Sequence, residues 1–227
     1  MRKYVYLAIK MNNRMKRIIF MLVFVITGNL IYAQEMKELF RVMPDSVIPL
    51  LTKNNREDCI DFLDSNMKAE VKNLFGKPSQ LKKLTKNYLF MQTTPVSSVE
   101  MKVLPVNDST NVIGVINTYC TRVCDSKLTF YDTKWKPLRI SDFINLPVIA
   151  NFRLNSDSIQ NELSNHEIAD MFNVPYIKYS FSSDNNDIIF TNTSLDNLNS
   201  EDRKLVESKD NNLNVIKYRW NNGKFIR

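Results

Sequence analysis

Four stretches in the middle of the chain decide the fold: NYLFMQTT (87–94), SSVEMKVLPV (97–106), NVIGVINTYC (111–120) and SKLTFYDTKW (126–135). Apolar residues recur in them with a period close to two, and β-branched and aromatic residues are frequent, as is typical of strands. Short turns such as TP (94–95) and NDST (107–110) join them. Because short turns connect neighbouring antiparallel strands, the sequence predicts a four-stranded antiparallel meander.

Helical periodicity precedes these strands. Apolar residues at 36, 39, 40 and 43 predict a first helix that stops at MPDS (43–46), and VIPLLT (47–52) predicts a short second one. The clearest helix begins after Asn55, a candidate N-cap. Its predicted apolar stripe consists of Ile60, Leu63, Met67, Val71 and Leu74, and Gly76-Lys77-Pro78 ends it.

The second half repeats the order of helices followed by strands. NSDSIQNELS (155–164) and HEIADMF (166–172) predict helices, and PYIKYSFSS (175–183) and DIIFTNTS (187–194) predict a hairpin. LNSEDRKLVESK (198–209), with Ser200 as a cap, predicts a further helix before a closing hairpin. The predicted fold class is therefore α+β, with helices packed on antiparallel meander sheets.

The two halves also end alike. Leu128 lies seven residues before Trp135, and Leu213 lies seven residues before Trp220. This pattern favours a tandem duplication of a unit with two helices and four strands, while coincidence is the alternative because tryptophan is common at strand ends. The predicted division is residues 34–148 and 149–227, either as two halves or as one continuous domain.

The first 33 residues have the order of a secretory signal. Six Lys and Arg residues and no acidic residue precede an apolar run over residues 18–30, and a small residue, Ala33, comes just before Gln34. The run is too short for a spanning helix. We predict cleavage between Ala33 and Gln34, no transmembrane anchor in the mature form, and residence in the periplasm or outside a Gram-negative cell.

Most of the net positive charge of the chain, +7, lies in this leading segment. The chain has 31 Lys and Arg against 24 Asp and Glu. Removing residues 1–33 takes away six of the basic residues and leaves 25 against 24, a net charge near +1. Nucleic-acid binding depends on neutralising phosphates with many cations, so we expect no nucleic-acid partner.

Three cysteines would enter an oxidising compartment. Cys120 and Cys124 bracket a tight turn between two predicted strands, so either a disulfide or two free thiols fits this pair. No further Cys or His lies nearby to complete a metal site. Cys59 adjoins an apolar helix stripe between Asp58 and Asp61, which favours burial over catalysis.

Candidate chemistry is sparse. Glu57, Asp61 and Asp64 share a helix face that could hold Ca²⁺ but is more typical of a solvated surface. His166, the only histidine, could act as a general base beside Glu167, although capping or exposure also explains it. Acidic and amide residues at 184–187 fit a hairpin turn and lack the spacing of a calcium loop. We therefore predict no catalytic residues, no metal and no cofactor.

Aromatic residues near the two predicted strand ends have two interpretations. They could form a ligand platform or the core of a sheet packed on helices, and the second is the more usual role. The residues concerned are Phe130, Tyr131, Trp135, Tyr218, Trp220 and Phe225.

The block from MPDS to NMKAEV (43–71), followed by VEMK (99–102) and NTYC and FYDTKWKPL further on, resembles a family of uncharacterised exported proteins from Gram-negative gut anaerobes, a domain of unknown function. The resemblance covers nearly the whole mature chain and implies an envelope location without a known activity. At fold level the order of elements is similar to PepSY and β-lactamase-inhibitor-like proteins. We expect a non-catalytic binding module for an unknown envelope protein or polymer; the alternative is a hydrolase or metal-dependent enzyme that uses the acidic helix residues or His166.

Overall fold

The computed structural model describes residues 35–147, 176–209 and 215–227. Three α-helices lie in these ranges: α1 (Glu35–Val42), α2 (Lys53–Asp64) and α3 (Ser200–Lys209). The first eight strands are β1 (Glu70–Lys72), β2 (Pro78–Leu84), β3 (Tyr88–Thr94), β4 (Ser97–Pro105), β5 (Asn111–Cys120), β6 (Cys124–Asp132), β7 (Pro137–Leu138) and β8 (Ile177–Phe181). The last three are β9 (Asp187–Asn192), β10 (Val215–Asn221) and β11 (Lys224–Ile226).

The strands form two antiparallel meander sheets. The larger sheet has seven strands in the order β1 to β7, and the smaller one has four in the order β11-β10-β9-β8. The α+β class and the strand positions predicted for residues 87–135 are confirmed, as β3 to β6. The prediction of only four strands in this meander was wrong, because β1, β2 and β7 extend the sheet on both sides.

The helix predicted through Leu74 is shorter than its apolar stripe suggested. It begins after Thr52, whose hydroxyl accepts from the Asn55 backbone N–H in a capping box, and it ends at Asp64. Asn66 then adopts a positive φ of 54°, which turns the chain out of the helix. Val71 belongs to β1, where it is buried by alternation along a strand. Apolar residues spaced for a helix were thus shared between a helix and a strand.

Two smaller predictions were also wrong. Residues 47–52 form turns and not a helix, since Pro49 lacks a backbone N–H, and single turn bonds run from Val47 to Pro44 and from Leu51 to Ile48. In α3 the capping oxygen comes from Asn199, whose Oδ1 accepts from the backbone N–H groups of Glu201 and Asp202. The predicted helices at 155–164 and 166–172 lie outside the described residues.

One face of the large sheet packs against α1 and α2. Met36 and Phe40 of α1 and Ile60 of α2 are buried in one cluster with Met101 of β4 and Val115 of β5. Burial of each such side chain stabilises the fold by about 1.5–3 kcal/mol. This cluster holds the helices on the sheet.

A buried arginine joins the two helices. Arg56 of α2 is 1% exposed. Its guanidinium donates four hydrogen bonds to the end of α1 and the turns after it: to the carbonyl oxygens of Phe40 and Leu51, both at 3.1 Å, to Asp45 Oδ1 at 2.6 Å, and to the carbonyl oxygen of Met43. Arg56 therefore satisfies carbonyl groups that the end of a helix leaves without partners.

The other face of the large sheet packs against the small sheet. Phe130 of β6 lies in a second buried cluster with Phe181, Ile188 and Phe225 of the small sheet. Gly114 of β5 permits this close approach: a Cβ atom there would lie 2.6 Å from Phe181 Cζ. The described molecule is therefore layered as helices, a large sheet and a small sheet.

The aromatic residues proposed as a platform lie mainly in these cores. Phe130, Trp135, Tyr218 and Phe225 are buried, which agrees with the core interpretation. Trp135 sits in the turn after β6 with a positive φ of 64°, and its buried Nε1 has no hydrogen-bond partner among the described residues. Trp220, in contrast, lies within β10 and donates from Nε1 to the Pro105 carbonyl at 2.6 Å.

The two tryptophans are not in equivalent places, and sheets of seven and four strands do not repeat one unit. Leu213 and residues 148–175 lie outside the described ranges. The tandem duplication and the likeness to PepSY or β-lactamase-inhibitor folds are therefore not confirmed. Within the ranges that the structure covers, no helix has the length and apolar character needed to span a membrane.

Candidate functional site

Charged residues are buried between the two sheets. Glu100 and Lys102 alternate with the apolar residues of β4, so both point away from the helices and toward the small sheet. Glu100 Oε2 accepts from the Tyr88 hydroxyl at 3.2 Å and from the Phe181 backbone N–H at 2.9 Å. Lys102 Nζ donates to the Ser182 carbonyl at 3.1 Å. The bonds to Phe181 and Ser182 join β4 to the end of β8, the outer strand of the small sheet.

Burial shifts the pKa values of Glu100, Tyr88 and Lys102. It raises the pKa of Glu100, an effect partly offset by hydrogen bonds from Phe181 and Tyr88 and by the charge of Lys178. It also raises the pKa of Tyr88, which the nearby Glu100 carboxylate raises further. For Lys102, burial lowers the pKa. Perturbed groups of this kind mark either a functional site or a structural network.

The geometry favours a structural network at this cluster. β8 is an edge strand, and its outward N–H groups at Tyr179 and Phe181 are taken by Ser126 Oγ, at 3.0 Å, and by Glu100. Thr193 extends the same seam, since its hydroxyl accepts from the Cys124 N–H at 2.9 Å. Side chains of the large sheet thus satisfy an edge that would otherwise be free to pair with another chain.

A small cavity opens beside this network. It has a volume of about 230 Å³, and among its lining residues are Glu100, Lys178, Ser98 and Thr118, with Phe90 and the Cys120 end of the β5–β6 hairpin. The cavity is large enough for one small polar group. Glu100 Oε2 already accepts hydrogen bonds from Tyr88 and Phe181, which leaves Oε1 of the same carboxyl for such a group.

A second feature is the outer face of the small sheet. The inner residues of β8 to β11 are buried against the large sheet, and alternation places their neighbours on the opposite face. Exposed cations on that face are Lys217, Arg219 and Lys224, from two of the four strands. Val215 and Ile226 are exposed beside them. Asp187 lies on the same face, with an oxygen 2.6 Å from Lys217 Nζ.

The acidic residues of α2 do not converge on one site. Asp64 pairs with Lys37 of α1 at 2.5 Å, and Glu57 lies 3.7 Å from Lys53 in its own helix. Asp61 is exposed. Among the residues that the structure describes, no three His, Cys, Asp or Glu side chains are placed to hold a metal ion.

The remaining candidates from the sequence are the 184–187 segment, Cys59 and His166. The 184–187 segment is a turn held by its own side chains, with the Asp187 N–H donating to Asn185 Oδ1 at 3.0 Å. Cys59 is buried, and burial raises the pKa of its thiol to about 11. A reactive cysteine needs a lowered pKa, so this thiol is not suited to catalysis. His166 lies outside the described residues.

Cys120 and Cys124 face each other across the β5–β6 hairpin as a register pair. Their Cα atoms are 4.0 Å apart, and the structure joins their sulfur atoms as a disulfide. A bond across so short a loop restricts few conformations of the unfolded chain and so adds little stability by that route. Its local effect is to fix the end of the hairpin beside the cavity.

Sequence reasoning missed the buried charges at Glu100 and Lys102. The VEMKV pattern alternates apolar and charged residues, which ordinarily indicates a strand with one face in water. The strand assignment was right, but the charged face is covered by a strand about 80 positions further on. No local signal in the 97–106 stretch could show that covering.

The fold and its surfaces define a class: a two-sheet α+β protein with helices on one sheet and a cationic outer face on the other. A protein-family profile described as a protein of unknown function (DUF3256) matches residues 29–225. The chain belongs to this family, which confirms the predicted membership of an uncharacterised family.

A solved structure of a domain of an uncharacterized protein from Porphyromonas gingivalis W83 is similar to this chain. The two share 28% sequence identity and a TM-score of 0.69, over 85% of this chain and 98% of that one. No curated protein matches the chain. The similarity supports the fold and the family and names no activity.

Proposed function

We propose that this protein is an exported, non-catalytic binding module of the Gram-negative envelope, which resides in the periplasm or outside the cell. The order of basic, apolar and small residues before Gln34 supports export. The bonded pair of Cys120 and Cys124 also supports it, because disulfides persist in oxidising compartments.

Export predicts a defined N terminus. Protein recovered from the envelope fraction of cells expressing the full chain should begin at Gln34, because the signal is removed after Ala33. Intact-mass measurement and N-terminal sequencing check this. Recovery of a chain that retains residues 1–33, in the cytoplasmic fraction, would contradict export.

The binding surface that we propose is the outer face of the small sheet, and its partner is an anionic envelope polymer. The single observation that carries this is the set of exposed cations on this face, with Arg219 on β10, Lys224 on β11, and Lys217 on β10 paired with Asp187 at 2.6 Å. Because the predicted mature chain is nearly neutral overall, a cationic face is a local feature and does not reflect general basicity. A row of charges suits a polymer with regularly repeated carboxylates.

Polygalacturonate is a suitable probe of this surface. The purified protein should be retarded in gels that contain polygalacturonate and not in gels that contain neutral dextran, and salt should weaken the effect. Replacing both Arg219→Gln and Lys224→Gln should weaken binding about tenfold, since two exposed charge contacts contribute together about 1–2 kcal/mol.

The matched control removes two cations from another exposed place. Lys134→Gln with Lys136→Gln changes the net charge equally, in the turn between β6 and β7. Equal losses in both double variants would show that net charge alone governs retardation, and the proposed surface would be wrong. The hydrolase alternative has no observation in its favour among the described residues, because Glu57 and Asp64 point to separate lysines.

A further inference from the structure

Three hairpin turns lie side by side at one end of the large sheet. They join β1 to β2, β3 to β4, and β5 to β6, and alternate turns of a meander fall at the same end. Hydrogen bonds connect them: Asn73 Nδ2 donates to the Thr93 carbonyl at 3.1 Å, and the Cys120 N–H donates to the Val96 carbonyl at 2.8 Å. We call this set the hairpin end, residues 72–78, 94–97 and 119–124.

The hairpin end exposes large apolar side chains. Phe75 is 75% exposed and Leu74 63% at the first turn, Val96 is 51% exposed at the second, and Tyr119 is 65% exposed beside the third. Single exposed apolar residues are ordinary on protein surfaces, but a group on adjacent turns usually marks an interaction site. Two of these four are aromatic, the type that favours an interface between apolar and aqueous phases.

The charged side chains within the three segments of the hairpin end are all positive. Lys72 and Lys77 flank the Leu74-Phe75 pair, Arg122 lies in the third turn, and the three segments of the hairpin end contain no Asp or Glu. Just outside these segments, Asp125 lies opposite Tyr119 in the β5–β6 register, whereas Asp45 is bonded to Arg56 and Glu57 lies 3.7 Å from Lys53. At the first turn an anionic surface would therefore meet apolar tips flanked by two cations.

We propose that the hairpin end docks on an anionic lipid surface. Leu74, Phe75 and Val96 would enter the boundary between headgroups and acyl chains, while Lys72 and Lys77 contact lipid phosphates, the arrangement used by interfacial membrane segments. A lipid surface fits better than a protein groove because these apolar residues stand on separate turns and not along one strand or helix face.

The tips are also held in place before binding. β1 to β6 form a continuous ladder, Asn73 Oδ1 accepts from the Phe75 and Lys77 N–H groups at 3.0 and 3.1 Å, and Cys120 is bonded to Cys124. Ordering the turns on binding therefore costs little. This inference goes beyond the proposed polymer binding, since it uses different residues at a different place on the fold.

Vesicle co-sedimentation tests the proposal with the purified protein. Vesicles of equal parts phosphatidylglycerol and phosphatidylcholine should sediment the protein, and vesicles of phosphatidylcholine alone should sediment much less of it. Leu74→Ser with Phe75→Ser should weaken binding to the anionic vesicles at least about tenfold, because two apolar side chains no longer enter the interface.

The matched control is Val215→Ser with Ile226→Ser, two apolar residues of similar exposure, 55% and 49%, on the outer face of the small sheet. It should bind vesicles as the unchanged protein does. The proposal is overturned if the unchanged protein does not sediment with anionic vesicles, if the Leu74/Phe75 variant binds equally well, or if the control loses as much. The Leu74/Phe75 variant should retain polygalacturonate binding, so that the failure of either proposal is recognisable separately.

Discussion

Replacing Arg56 by methionine should lower the free energy of unfolding by about 3 kcal/mol or more, the largest effect that we expect from a single substitution. Methionine fills a similar volume but donates no hydrogen bond, so the carbonyl oxygens of Phe40, Met43 and Leu51 would each lose a partner. A buried polar group without a partner costs about 1–3 kcal/mol. Unfolding in urea, followed by circular dichroism, measures the loss.

Arg41→Met is the matched control for this substitution. Arg41 lies in the same region but forms only a partly exposed pair with Glu38, at 2.7 Å, and such pairs contribute about 0–1 kcal/mol. Arg56→Lys should give an intermediate loss, because one ammonium cannot reach acceptors placed around a planar guanidinium. Equal stability of the Arg56→Met and Arg41→Met variants would show that Arg56 does not join the helices in the way described.

Glu100 should give the second largest effect. Glu100→Ala should destabilise the protein by about 2–3 kcal/mol, because the Phe181 N–H and the Tyr88 hydroxyl would both lose their acceptor between the sheets. Glu100→Gln should cost less, since its side-chain carbonyl can still accept from both groups. Thermal and urea unfolding of the two variants measure the difference.

The same pair of proteins tests the ionisation of Glu100. Its pKa is raised in the folded state, mainly by burial, so the folded protein holds this proton more tightly than the unfolded chain does. The associated stability is fully present below the ordinary glutamate pKa of about 4.3 and is lost as pH rises through the raised value. The unfolding free energy of the unchanged protein, minus that of Glu100→Gln, should therefore fall as pH increases over this window.

Subtracting the unfolding free energy of the variant removes the contribution of the other carboxylates, because both proteins contain them. A difference that stays constant with pH, or that grows with it, would mean that folding leaves the Glu100 pKa unchanged or lowers it. The assignment of this carboxyl to a desolvated seam between the sheets would then be wrong.

The strands could be predicted better than the helices, for a physical reason. In residues 87–135 the alternation of apolar and polar residues agrees with turn residues at both ends of each strand, so two independent signals coincide. In residues 60–74 the apolar spacing fits a helix, yet the helix ends at Asp64, Asn66 follows at positive φ, and Val71 pairs in β1. Pairing with β2, a contact between separate parts of the chain, outweighed the local pattern.

The candidate functional residues also divide into those that the sequence indicated and those that only the fold brings together. The sequence alone indicated the acidic face of α2 and the lone His166, both chosen by residue type. The groups that the fold brings together are others: Glu100 with Tyr88 and Phe181, and the apolar tips at Phe75 and Val96. Their neighbours in space lie far apart in the chain, so no local pattern marks them.

By itself, the sequence determined the α+β class and the antiparallel meander, because these depend on local periodicity and turn residues. Its resemblance to known sequences indicated membership of an uncharacterised family. The sequence also carries the export prediction, which rests on the order of residues in the first 33 positions. Only the tertiary structure decided which faces are covered. Burial of Glu100 and Lys102, the open cationic face and the alignment of three hairpin turns depend on how two sheets pack, and packing is set by contacts between distant residues.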